Sequence, residues 1–391
     1  MTNICVVTAT RAEYGLLKPL MKLLKQSKVL NLQVLVTGAH LSTEFGLTYK
    51  DIEKDGFTID DKVEMLLSSD TAKGIVKSMG VGMIAYADAF DRLKPNALVI
   101  LGDRYEMLAI ASSASVFRIP IIHLHGGEIT EGAYDDAFRH AITKLSYLHF
   151  TSTEQYRNRV IQLGENPKNV FNVGAIGLDN IHTLNLLSRN ELEFELGFKF
   201  QKFNYQVTFH PETLGSMSSK DQFSILLDAI KEQEDSFFIF TKSNADTDGR
   251  IINTMIDEFA NNYPDKAKAF ASLGILRFLS LVKECDAMIG NSSSGIVEAP
   301  TLKVATINIG NRQKGRMQTN SVINCDVHKK QIKEAIMLSQ DKVFKQKVAK
   351  VKNPYGNGGT ANRIISILES TNWDDINNKS FYNIDISKFN S

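Results

Sequence analysis

Short β-branched apolar runs alternate with stretches of helical length along most of the chain, and nothing else in the sequence constrains its fold as strongly. In the first half the runs are "NICVVTAT" (3–10), "NLQVLVTG" (31–38), "ALVILGD" (97–103), "IPIIHLH" (119–125), "YLHFTS" (147–152) and "VFNVG" (170–174). Their apolar residues are continuous rather than alternating, as expected of parallel strands buried on both faces. Amphipathic stretches such as "LLKPLMKLLKQ" and "GMIAYADAFDRL" lie between them, the pattern of βαβ units and a parallel sheet. The pattern restarts after the polar, helix-like stretch 178–200, with "YQVTFHPET" (205–213), "SFFIFTKSN" (236–244), "GILRFL" (274–279), "DAMIGNSS" (286–293) and "KVATINIG" (303–310) as strands.

A chain of 391 residues exceeds the roughly 250–300 at which one core stops growing, so two α/β domains are expected. The sequence places a doubly wound, Rossmann-like domain at 1–176 and a second at 177–367, facing it across a cleft. A tail, 368–391, is expected to pack back on the first domain. Lys+Arg (45) and Asp+Glu (44) nearly cancel, which gives no basic excess for nucleic acid. The three cysteines, Cys5, Cys285 and Cys325, form no CxxC pair, so a disulfide or cysteine-rich zinc scaffold is not expected and a reducing cytoplasm fits. No apolar run approaches the ~18 residues of a spanning helix, so no membrane partner is expected.

Ligands of open parallel sheets bind beyond the carboxyl ends of the strands. In the first half those ends carry Arg11, His40, Asp103-Arg104 and His125-Gly126-Gly127-Glu128. In the second they carry His210, then Asn244 and Asp246, then Asn291 to Ser294, then Arg312 and Arg316. The segment "IGNSSSGIVEAP" (289–300) reads as strand, small-residue loop and helix start, where free N–H groups and serine hydroxyls can cradle a phosphate. The plainer reading is a serine N-cap with no ligand. Arg312, Lys314 and Arg316, one strand later, favour a diphosphate. Glu298 is placed to accept both hydroxyls of a ribose. No GxxxxGK[ST] and no GxGxxG after the first strand occur, so no P-loop or nicotinamide cofactor is expected.

The first half then holds the group being transformed. Its densest cluster is 121–144, "IIHLHGGEITEGAYDDAFRHAITK". Asp135 and Asp136 begin a helix, where aspartate is commonly just a cap. His123 and His125 lie two apart on a strand and point the same way, a weak metal pattern. His123 sits inside a buried apolar run and reads as a core histidine, so no metal is expected.

The segments "TRAEYG" (10–15), "LGDRYEM" (101–107), "HGGEITEGAYDDAFRHAITK" (125–144), "FHPET" (209–213), "GNSSSGIVEAP" (290–300) and "INIGNRQKGR" (307–316) together resemble the hydrolysing UDP-N-acetylglucosamine 2-epimerases of bacterial sialic-acid biosynthesis. The resemblance runs from residue 3 to about 365. It implies a GT-B pair of Rossmann-like domains and a reaction needing no cofactor. UDP is eliminated to give a 2-acetamidoglucal, and water is added to give N-acetylmannosamine. It implies that Arg11, His210, Ser292, Ser293 and Arg316 hold the diphosphate, Glu298 the ribose, and Phe278 a place beside the uracil. Asn244 and Asp246 complete the expected binding set. Asp103, Glu128 and Asp135 become the acid/base set. Many relatives have glutamate where this chain has His125, so either Glu128 or His125 takes that role. The resemblance also implies a cytoplasmic homodimer or homotetramer. A 2,4-diacetamido-2,4,6-trideoxy sugar nucleotide as substrate, the non-hydrolysing reaction that keeps UDP-ManNAc, a GT-B glycosyltransferase and a non-catalytic sugar-nucleotide sensor are the alternatives.

Overall fold

In a computed structural model, which describes residues 1–67, 69, 71–131, 133–212, 217–242, 249–373, 376 and 379–385, the apolar runs form two parallel sheets. The first has seven strands: β1 (Thr2–Thr8), β2 (Leu30–Thr37), β3 (Asp61–Val63), β4 (Ala97–Leu101), β5 (Ile121–Leu124), β6 (Leu148–Thr151) and β7 (Val170–Asn172). The second has six: β8 (Phe203–Thr208), β9 (Ser236–Thr241), β10 (Ala267–Phe270), β11 (Ala287–Gly290), β12 (Ala305–Ile309) and β13 (Val322–Cys325). Their orders are β3-β2-β1-β4-β5-β6-β7 and β10-β9-β8-β11-β12-β13. Each reverses direction once, between β1 and β4 and between β8 and β11, and such switch points open a crevice for ligand.

Both faces of each sheet are covered. Ile4, Val6, Val34 and Val99 pack against the 11–26 helix, while Cys5, Val7, Leu98 and Ile100 pack under the helices 72–93 and 105–116. The 11–26 helix starts on a capping box in which the Thr10 hydroxyl accepts from the Glu13 N–H and Glu13 accepts from the Thr10 N–H. Pro19 lies inside this helix and cannot donate to the Gly15 carbonyl four residues back. Asn180 Nδ2 makes that bond instead, at 2.9 Å, so a helix fault becomes a tie to the segment joining the two halves.

One expected strand is a helix. "GILRFL" opens the helix Gly274–Glu284, and the edge strand is the preceding Ala267–Phe270. A short apolar run does not distinguish the two states. Here Leu279, Leu281 and Val282 are buried on a helical face, and Ser280 Oγ donates to the Leu276 carbonyl one turn back. The edge strands β3 and β13, at three and four residues, carry too short a pattern to be read beforehand.

The chain returns to the first sheet earlier than expected. The helix Thr360–Ser370 buries Ala361, Ile364 and Leu368 in the core of the first half, each large aliphatic side chain contributing about 2 kcal/mol. Asp179 fixes its start by accepting from the N–H groups of Thr360 and Ala361 at 2.8 and 2.7 Å. Where the two crossings between halves run side by side, Ala175 N–H donates to the Tyr355 carbonyl. Tyr355 Oη donates to the Met317 carbonyl, and Tyr156 Oη accepts from the Met317 N–H, each at 3.0 Å. Among the described residues no helix is long and apolar enough to cross a membrane.

Candidate active site

In the first half the loops after β4 and β5 carry the carboxylates. Asp103 pairs with Arg139, which is 3% exposed and also donates to Thr130 Oγ1 at 3.1 Å. Arg139 Nε is buried with no partner among the described residues. Arg139 lies one turn beyond Asp135, the first residue of the helix Asp135–Leu145. Asp136 accepts from the Thr130 N–H at 2.6 Å and so fixes the approach of that helix. Arg104, beside Asp103, is gripped by Glu106 and lies 3.8 Å from Glu13. Burial lifts the Glu13 carboxyl to about 7 although Arg104 opposes it.

Glu128 is 2% exposed, and both of its carboxylate oxygens have partners. Ser152 Oγ donates to Oε1 at 2.8 Å, His125 Nδ1 lies 3.0 Å from the same oxygen, and the Arg316 guanidinium lies 3.0 Å from Oε2. Burial raises the proton affinity of this carboxyl, but Arg316 and His125 outweigh it and hold it well below the usual carboxylate range. Arg316 comes from the second half, and its Nε also donates to the Ile129 carbonyl at 3.2 Å. His123 is a satisfied core histidine: Nε2 donates to the Gly102 carbonyl at 2.8 Å and Nδ1 lies 3.1 Å from Thr143 Oγ1. Burial lowers its pKa to about 3, so it stays neutral. No group of His, Cys, Asp and Glu among the described residues has the arrangement of a metal site.

The second half contributes backbone and amides at its switch point. Asn291 is fully buried and clips β11 to β8: its Oδ1 accepts from the His210 N–H at 2.7 Å and its Nδ2 donates to the His210 carbonyl at 2.8 Å. Its own carbonyl accepts from Arg312 at 3.0 Å and Gln313 at 2.8 Å. Gly290 has φ +131°, and a Cβ there would collide with the Thr208 carbonyl, so the tight exit from β11 requires glycine. The expected helix at "GIVEA" is a single turn, Ser294–Val297, which breaks at Glu298 and restarts at Ala299–Leu302. Ser292 Oγ accepts from the Ser294 N–H at 3.3 Å. The Ser292 and Ser293 N–H groups have no partner among the described residues. Glu212, which sequence reasoning passed over inside "FHPET", accepts from the N–H groups of Asn311 and Arg312 at 2.7 and 3.0 Å. It thereby shapes the loop that ends in Arg316.

Of the remaining expected residues, Arg11 is the first residue of its helix, 3.4 Å from Asp51. Its guanidinium lies 2.9 Å from where a Gly274 Cβ would stand, so it reaches the second half. Glu298 is 8% exposed, and its carboxylate abuts Gly177 of the joining segment. Burial raises its carboxyl to about 8, with the Ser294 hydroxyl opposing. Phe278 is part-buried on the 274–284 helix, between two apolar clusters. Asn244 and Asp246 lie outside the described residues. The structure thus brings Glu128, His125 and Arg316 into direct contact, with Asp103 acting on Arg316 electrostatically. Sequence reasoning missed Arg139, Ser152 and Glu212. Only Arg139 had a legible signal, its place one helical turn after Asp135.

Two parallel-sheet α/β domains with polar strand ends from both converging between them make this a GT-B fold, shared with solved sugar-nucleotide enzymes. One is the Methanocaldococcus jannaschii UDP-GlcNAc 2-epimerase, solved in complex with UDP-GlcNAc and UDP. It superposes with a TM-score of 0.78 at 21% identity, over 94% of this chain and 99% of that one. A family model described as UDP-N-acetylglucosamine 2-epimerase matches residues 22–369, and the chain belongs to that family. A GDP/UDP-N,N'-diacetylbacillosamine 2-epimerase (hydrolyzing) from Campylobacter jejuni is 45% identical over 98% of this chain and 99% of its own length. Polysialic acid biosynthesis protein P7 of Escherichia coli is 42% identical over 98% of both.

Proposed function

We propose that this protein is a hydrolysing UDP-sugar 2-epimerase that converts UDP-N-acetylglucosamine and water to UDP and N-acetylmannosamine. The observation that carries the reading is the contact between Glu128 of the first half and Arg316 of the second, which sets a carboxylate beside a cation fit for a diphosphate. The C2 proton of the sugar is not next to a carbonyl, so the C1–O bond must break first. Its electron pair leaves on the β-phosphate oxygen of UDP. Arg316, Arg11 and the Ser292–Ser293 loop stabilise that charge, as an oxyanion hole does. Asp103, anchored by its ion pair with Arg139, and Glu128 face the cation that develops at C1. A carboxylate of the Asp103, Glu128 and Asp135 set takes the C2 proton, forming the C1=C2 bond of 2-acetamidoglucal. Water then adds its hydroxyl to C1, and C2 receives a proton on the opposite face. Glu298 and Phe278 are assigned to ribose and uracil. No step calls for a cofactor or metal.

A second reading keeps every step and changes the sugar to a 2,4-diacetamido-2,4,6-trideoxy hexose. The name of the 45% identical relative favours it. A cytoplasmic location and an even-numbered homo-oligomer complete the proposal, and exposed Val76, Met83 and Ile84 on the helix 72–93 give an apolar face suited to a second copy. The test is incubation with UDP-GlcNAc in deuterated water, followed by proton and phosphorus NMR. UDP with N-acetylmannosamine deuterated at C2 is the expected outcome. UDP-ManNAc would move the protein to the non-hydrolysing reaction. Turnover of the 4-acetamido sugar nucleotide alone would establish the second reading.

A further inference from the structure

His125 sits at φ +65°, in the left-handed region that a histidine enters at a cost, so something beyond the turn holds this residue in place. Its ring makes two contacts of opposite sense. The backbone N–H of Ile176 donates to Nε2 at 3.3 Å, which makes Nε2 the lone-pair nitrogen. Nδ1 lies 3.0 Å from Glu128 Oε1, a carboxylate oxygen that only accepts, so Nδ1 carries the proton. Both contacts are satisfied together only by a neutral ring protonated at Nδ1. Imidazolium would set an N–H against the Ile176 N–H, and the other tautomer would set a lone pair against the carboxylate.

Ile176 immediately precedes the helix Gly177–Thr183, at the crossing from the first half to the second. The neighbouring Ala175 N–H donates to the Tyr355 carbonyl on the return crossing. The ring therefore links the hinge to the carboxylate. With Ser152 and His125 both on Oε1, the other oxygen, Oε2, remains turned to Arg316 of the second half. No ring nitrogen is left to take a proton from a sugar carbon.

We infer that His125 is a positioning residue: a neutral Nδ1–H imidazole that suspends Glu128 from the interdomain hinge and aims Oε2 into the cleft. This rests on the proposed role of Glu128, but the state of the ring does not. A glutamate here could accept from the Ile176 N–H, but as a carboxylate it could donate nothing to Glu128. Histidine supplies both a donor and an acceptor where glutamate would set two carboxylates side by side.

Two measurements on the full chain test it. In protein labelled with ¹⁵N-histidine, the signal lost in His125→Asn is expected to show a protonated Nδ1 and a bare Nε2 at neutral pH. A protonated Nε2 there overturns the inference whatever the enzyme's substrate. In kinetics, His125→Glu is expected to lower kcat by about 10²-fold. KM and UDP affinity should stay within about threefold. His125→Asn, which tolerates positive φ and keeps a short donor towards Glu128, is expected to recover most of the loss. In a Glu128→Gln background, His125→Glu is expected to cost almost nothing more, because a residue acting through Glu128 has nothing left to act through. Equal losses in both backgrounds would make His125 a proton-transfer group in its own right and overturn the inference.

Discussion

The two sets of strand ends that face each other are built on opposite principles. In the first half three carboxylates are held by counter-charges: Asp103 by Arg139, Glu128 by Arg316, and Glu106 by Arg104. In the second half the work falls to backbone groups and amides: Asn291 clipping His210, Glu212 holding two N–H groups, and Gly290 allowing β11 to pass close to β8. Chemistry at a sugar carbon needs carboxylates at fixed angles, and ion pairs supply fixed angles. A leaving diphosphate needs several weak donors already in place, and those are cheaper to hold as backbone than as charged side chains.

The largest effect should come from neutralising the first half. Glu128→Gln and Asp103→Asn are each expected to lower kcat by about 10³-fold. UDP affinity should change by no more than about threefold in either, and near-wild-type turnover would remove that residue from the mechanism. The supports should then separate the halves. Arg139→Met is expected to cost about 10²-fold in kcat with UDP binding retained, because Asp103 loses its anchor. Glu212→Ala should do the reverse, weakening UDP about tenfold and sparing the chemical step, since the loop leading to Arg316 loses its brace. Calorimetry with UDP beside steady-state kinetics decides, and matching patterns would erase the distinction between the halves.

A pH effect comes next. Burial lifts the carboxyls of Glu298 and Glu13 to about 8 and about 7 from an ordinary 4.5, so the folded chain binds their protons more tightly than the unfolded one. That contribution to stability is complete below about pH 4.5 and is lost as pH rises towards 8. Glu298→Gln is expected to narrow the drop in Tm between pH 5 and pH 8 by about 2–4 °C. An unchanged drop would show that Glu298 is already ionised in the native state. The smallest effect should be at the rim, where Arg250 Nε and Nη2 donate to the two Glu44 oxygens at 2.9 and 2.8 Å, both side chains more than 40% exposed. Glu44→Gln is expected to cost under about 0.5 kcal/mol in denaturant unfolding.

The alternation of apolar runs made both parallel sheets legible, because a strand buried on two faces has no polar period to confuse it. The same device failed where elements are short or lie at an edge. "AKAF" carries a lysine on a four-residue edge strand, and "GILRFL" is equally apolar as strand or helix. Asp103, Glu128 and Arg316 could be picked out because strand ends are where ligands bind. Ser152 could not, since its partner lies 24 residues away in sequence, and Arg139 was marked only by its place one helical turn after Asp135, its partner Asp103 lying 36 residues away. His125 could be named beforehand, but the direction of its hydrogen bonds depends on Ile176, a residue with no polar side chain.

The helix Thr360–Ser370 gives the chain an order of completion as well as a shape. A ribosome making this protein releases the whole second half before the residues that cover the 11–26 helix have been polymerised. Until then Leu20, Leu24 and their neighbours have no lid, and the Asp179 carboxylate has no helix to cap. The half that carries the acids is thus the first to be written and the last to close, and a chain ending at residue 350 would hold every strand of the second sheet beside a first half that lacks its closing helix.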